Sequence, residues 1–145
     1  MSEQVVLRWA EGEADLQGAL AVRMRVFCEE QGVSPEEEVD GRDDQALHLV
    51  AIAPDGQVVG TLRLLFTEAS VKVGRVAVDR SWRGRAIAGS MLEMALEESI
   101  RRGAGEARLT SQVEVIELYR QAGFEVSSDV FEEAGIPHVL MVRAL

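Results

Sequence analysis

The apolar positions of this 145-residue chain change period several times, and each change marks an element. Residues 5–9 (VVLRW) alternate weakly and predict an opening strand. From Asp15 to about Glu30, Leu16, Leu20, Met24 and Phe27 recur at spacings of four, four and three, the pattern of an amphipathic helix. Gly32, Ser34 and Pro35 end it, and an acidic loop follows with room for one short helical turn. Residues 47–53 and 58–68 are two β-rich runs around Asp55-Gly56, so they predict a hairpin; 70–79 predicts a third strand. A helix from about Gly84 to Arg102 turns Ile87, Met91, Met94 or Ala95, and Leu96 inward. On its outer side Glu97–Arg101 and Glu98–Arg102 stand as i,i+4 pairs, and Gly103 and Gly105 stop it. Then come a strand at 107–112, a helix at 113–122 closed by Gly123, and strands at 124–131 and 138–144 joined across EEAGIP. A meander followed by strand–helix alternation predicts an α/β (α+β) domain over 1–145. Its sheet is mixed, mostly antiparallel, of six to seven strands flanked by helices.

Composition narrows the class of protein. No apolar run is long enough to span a bilayer, and the start lacks a basic and apolar leader, so a cytoplasmic protein with no membrane partner is expected. The single cysteine, Cys28, sits beside the first helix's apolar face and reads as a buried, inert thiol; two histidines leave little for a metal site, and no metal is expected. The formal charge is -10, unsuited to nucleic acid. That charge is uneven. Residues 29–44 hold eight acids and one arginine, whereas 71–90 hold Lys72, Arg75, Arg80, Arg83 and Arg85 against Asp79. A small basic island on an acidic body suits one anionic small molecule.

The island joins the strand ending VAVD to the following helix. First-turn N–H groups and the helix dipole favour anions, small residues let the backbone approach, and arginines can chelate oxygens in pairs. Arg83, Gly84, Arg85, Ala86, Ile87, Ala88, Gly89 and Ser90 therefore form an expected pyrophosphate-binding turn. The wording VAV-x4-RGRAIAGSML resembles the acetyl-CoA signature of the GNAT superfamily of N-acetyltransferases, [QR]-x-x-G-x-[GA]. Arg83 and Ala88 match, and Ala86 stands where the signature wants glycine. RVFCEEQGVSPEEEVDGRDDQALHLVA, LTSQVEVIELYRQAGFE and FEEAGIPHVLMV are similar to a branch of small, poorly characterised GNAT acyltransferases.

The resemblance implies the GNAT fold and an N-acetyltransferase that moves an acyl group directly from acetyl-CoA to a primary amine on a small molecule or peptide. It implies that the strand before the signature splays from its neighbour. Val76, Ala77 and Val78 would bind pantetheine, with an N–H near Val78 polarising the thioester carbonyl. Tyr119, the only tyrosine, takes the position of the acid that protonates the leaving thiolate. Many relatives carry a glutamate on the signature strand, but Gly74 and Arg75 stand there. The base is left to His48, to His138, or to Glu38, Asp40 or Asp44 acting through water. The acidic loop reads either as solvated surface or as the attractor of a cationic acceptor. Missing carboxylate and missing glycine also admit an alternative, an acyl-CoA-binding sensor module without chemistry. GNAT chains often pair through late strands, so a homodimer is compatible with the resemblance.

Overall fold

The computed structural model describes residues 4–145. Eight strands form one sheet: β1 (Val6–Trp9), β2 (Leu47–Ile52), β3 (Val58–Phe66), β4 (Ser70–Val78), β5 (Glu106–Gln112), β6 (Glu125–Val126), β7 (Phe131–Glu133) and β8 (Ile136–Ala144). The spatial order is β1-β2-β3-β4-β5-β8-β6, with β7 also paired to β8. Every pairing is antiparallel except β4–β5. Helices α1 (Gly12–Arg23), continued by a π-helical segment (Met24–Glu30), α2 (Pro35–Glu38), α3 (Ile87–Arg101) and α4 (Ile116–Gln121) cover the two faces.

Most expected elements stand within two or three residues of their sequence bounds, but the strand expected over 124–131 breaks into β6 (Glu125–Val126) and β7 (Phe131–Glu133). Three further details differ for physical reasons. The EEAGIP connection is itself a two-residue hairpin turn: Ala134 (φ 53°) and Gly135 (φ 76°) both lie in the left-handed region, which matches strand twist and extends pairing to Glu133↔Ile136. Helix α3 starts at Ile87 rather than Gly84, because Gly84 (φ 79°) and Ala86 (φ 61°) are left-handed and cannot propagate it. On that helix Arg102 bonds Glu98 as expected, but Arg101 turns to Glu98 as well (3.0 Å) rather than to Glu97.

The buried face of α1 is also rotated from the expected one. Asp15, Ala19, Val22, Arg23 and Val26 are buried, while Leu16, Leu20, Met24 and Phe27 are half-buried. Small residues allow this approach: a Cβ at Gly18 would stand 2.5 Å from Val58 Cγ2. Charge holds it, since Asp15 pairs with Arg8 and Arg23 with Glu38. Ala19, Val22 and Val26 pack with Val50, Val58 and Ala77 on this first face. The main core lies on the other, where Leu49, Leu62, Leu64, Val73, Leu109 and Met141 meet Ile87, Met91, Leu92 and Ala95 of α3 and Tyr119 and Phe124 near α4.

Candidate active site

Strands β4 and β5 pair only at Ser70↔Glu106, Val71↔Ala107 and Lys72↔Arg108, then part. Beyond Lys72, β4 keeps β3 on one side and opens its other edge, so backbone groups along 73–78 face a cleft of about 880 Å³. A bulge helps to part them. Thr61 pairs with Ala77 and Arg63 with Gly74, so Arg75 and Val76 oppose Leu62 alone. Arg75 takes φ 52°, a costly conformation for a residue with a Cβ. Its guanidinium fixes it there, donating to Glu38 O (2.9 Å) and lying 3.2 Å from Glu38 Oε2 and 3.5 Å from Asp40 Oδ2.

The signature turn closes one end of the cleft. Ser90 N bonds Ala86 O as the first helical bond, so the N–H groups of Ile87, Ala88 and Gly89 have no carbonyl within the helix and aim out of its N-terminus. Arg83, Gly84, Ala86, Ile87, Ala88 and Gly89 line the cleft, as do Val76, Ala77 and Val78. Arg85 and Ser90 do not; Arg85 lies over the Trp82 ring, 4.5 Å from its centroid. Arg83 lines the cleft with its charge already matched. Its fork meets both Glu30 oxygens at 2.9 Å, and its Nε donates to Val78 O at 2.9 Å. It ties the π-helical segment to the end of β4.

Tyr119 is 7% exposed, lines the cleft, and sets its ring edge-on to Phe124. Its hydroxyl has no hydrogen-bond partner among the described residues. Burial pushes the phenol up to about 12, further from a thiol's pKa of about 8.5 than the ordinary phenol value. Burial likewise pushes the Cys28 thiol up, which keeps it protonated.

The two histidines have different surroundings. His48 is buried outside the cleft, with Nε2 2.9 Å from Asp43 O and Nδ1 without a partner. His138 lines the cleft. A carbonyl only accepts, so the 2.6 Å contact between Nδ1 and Ile136 O places the proton of the neutral ring on Nδ1. Nε2 is then the basic atom, 3.9 Å from Glu133 Oε2, and the ring stacks on Phe131. Register sets His138 opposite Gln112, on the face away from Ser111, Val139 and the Tyr119 core. The cleft thus passes through the sheet, with Tyr119 on one face and His138 on the other.

The acidic loop is tied down rather than open. Glu38 pairs with Arg23 and Arg75, Asp40 with Arg63 and Arg75, and Asp43 with Arg23 (2.7 Å) and Arg63 (3.0 Å). Hydrogen bonds from Arg63 hold the Asp40 carboxyl well below the usual carboxylate range against the opposing effect of burial. Burial pushes Asp43 up, but Arg23 and Arg63 outweigh it. Glu38 and Asp40 line the cleft already neutralised, and Asp44 is exposed outside it. Among the described residues, the cleft carboxylates without an arginine partner are Glu37, Glu114 and Glu133. Arg63 carries a signal in the sequence, since a lone charge inside VVGTLRLLF must be buried with a counter-charge; ALAVRMRVF holds both Arg23 and Arg25, and only Arg23 is buried. No group of three or more acidic, His or Cys side chains suited to a metal occurs among the described residues.

A sequence model of the acetyltransferase (GNAT) domain matches residues 13–145. The chain belongs to the GNAT acetyltransferase family. It is an acyltransferase by that membership, and relatives in the family bind CoA. Among similar proteins is the uncharacterised N-acetyltransferase YjcF of Bacillus subtilis, 32% identical over 136 residues that span 92% of this chain and 96% of YjcF. An acyl-CoA N-acyltransferase from Pseudomonas aeruginosa is 32% identical with a TM-score of 0.83, covering 99% of this chain and all of its own. A Lactobacillus plantarum structure reaches a TM-score of 0.90 at 27% identity over 98% of this chain and 99% of its own. Both solved structures share the fold described above. No helix among the described residues is long and apolar enough to cross a membrane.

Proposed function

We propose that this GNAT protein transfers an acetyl group from acetyl-CoA directly to a primary amine, with His138 receiving the amine's proton and Tyr119 attending the departing sulfur. The observation that carries the reading is the cleft through the parted strands, with these two side chains at opposite faces. First-turn amides of α3 receive the pyrophosphate; the free edge at Val76, Ala77 and Val78 receives pantetheine. A β4 N–H near Val78 polarises the thioester carbonyl.

The neutral amine nitrogen attacks the carbonyl carbon, the carbon–sulfur bond breaks, and an amide and CoA form. The amine's proton passes to His138 Nε2, directly or through one water, and Glu133 faces the resulting imidazolium. Proton transfer from Tyr119 to the thiolate runs uphill by about 5 kcal/mol, given the 3–4-unit gap between the two acids. Tyr119 therefore serves chiefly as a hydrogen-bond donor to the sulfur. Glu133 and Glu37 favour a cationic acceptor over an anionic one.

A thermal-shift titration with acetyl-CoA followed by a thiol-release screen over primary amines tests the reading. Stabilisation with amine-dependent release is expected. Stabilisation without release on any amine would favour the acyl-CoA sensor, and absence of stabilisation would reject both.

A further inference from the structure

The chain contains one lysine, Lys72, and it lies in the cleft. It sits on the last rung at which β4 and β5 pair, opposite Arg108, at the point where the two strands part. Its side chain is exposed and makes no hydrogen bond or ion pair among the described residues. The cleft's other cationic side chains differ: Arg63, Arg75 and Arg83 are each engaged by carboxylates. Two residues on, and on the same face, Gly74 leaves open space; a Cβ built there meets no atom within 4 Å. A flexible four-carbon stem can carry Nζ across that gap toward the bulge.

We infer that Lys72 is a self-acylation site, taking the acyl group from a CoA thioester held in the same cleft when no amine acceptor is present. The inference rests on the acyl-CoA reading above. Neutral Nζ attacks the thioester carbonyl, the carbon–sulfur bond breaks, and the nitrogen's proton leaves with the thiol of CoA. An amide on Lys72 and free CoA result, with no other reactant. Arginine cannot substitute, since guanidinium keeps its proton. Holding donor and nucleophile in one cleft replaces a bimolecular encounter.

The test incubates the intact protein with acetyl-CoA alone and follows it by whole-chain mass and peptide mapping, beside urea-unfolded protein and the Lys72→Arg variant. One added acetyl group is expected on the Lys72 peptide, forming at least about tenfold faster in the folded chain, as proximity requires. Its rate should be independent of protein concentration, competed by CoA, and absent in Lys72→Arg. Labelling confined to the α-amine, or equally fast in urea, overturns the inference. So does a Lys72 that stays unlabelled with acetyl-CoA alone in a preparation that turns over an added amine, a result that leaves the acyltransferase reading intact. Failure of acetyl-CoA to stabilise the protein overturns both.

Discussion

Replacing Ala86 by glycine probes how the signature turn is built. Ala86 precedes α3 at φ 61°, where its Cβ crowds the following carbonyl. That conformation costs a residue with a side chain about 1–2 kcal/mol, and glycine escapes it. Glycine also loses more freedom on folding, which returns about 0.4–1 kcal/mol. The difference favours Ala86→Gly by about 1 kcal/mol, or a rise in Tm of about 2–4 °C for a chain of this size. The amides of Ile87, Ala88 and Gly89 keep their direction, so the shift produced by acetyl-CoA should be equal or larger. Melting curves of parent, Ala86→Gly and Ala86→Val, each with and without acetyl-CoA, measure both terms. Valine, β-branched at positive φ, should melt below the parent. If glycine lowers Tm, or shrinks the acetyl-CoA shift, the left-handed turn is not what the signature requires.

Tyr119→Phe should lower kcat roughly tenfold to a hundredfold, the worth of one hydrogen bond to the developing charge on sulfur, while the KM for acetyl-CoA holds; unchanged kcat removes Tyr119 from the reaction. The raised phenol also stabilises the fold below the unfolded pKa of about 10. That contribution, roughly 3 kcal/mol, is lost as pH climbs from 10 through about 12, and the Phe variant should lack this alkaline loss. His138→Gln should cost about a hundredfold or more in kcat/KM near neutrality, narrowing as pH approaches the amine's own pKa of about 10; a deficit independent of pH would mean His138 only packs. Arg23→Met leaves buried Glu38 with Arg75 alone and Asp43 with Arg63 alone, and should cost about 3 kcal/mol, or roughly 10 °C in Tm; adding Glu38→Gln should recover part, and no recovery would put the cost in packing.

Periodicity and turn chemistry made most of the fold legible, since Asp55-Gly56, Gly123 and the β-rich runs of β2 and β3 act locally. What stayed hidden depends on distant partners. Arg75's left-handed backbone is held by Glu38 across 37 positions, and no local propensity would place arginine there. The acidic loop read as free charge because its counter-ions, Arg23, Arg63 and Arg75, lie in other elements. A helix from about Gly84 would include Ala86, whereas Ala86 precedes α3 at φ 61°, so the residue that departs from the signature bears a backbone cost. For the base, three options were open from sequence. The structure brings His138 to the cleft and leaves His48 outside it, a choice made by register.

The most direct test of the account is release of CoA thiol from acetyl-CoA on addition of primary amines, measured for the parent and for His138→Gln at neutral pH. The account predicts saturable, amine-dependent release by the parent and a large loss in the variant. Acetyl-CoA binding with no amine-dependent release from the parent would contradict it.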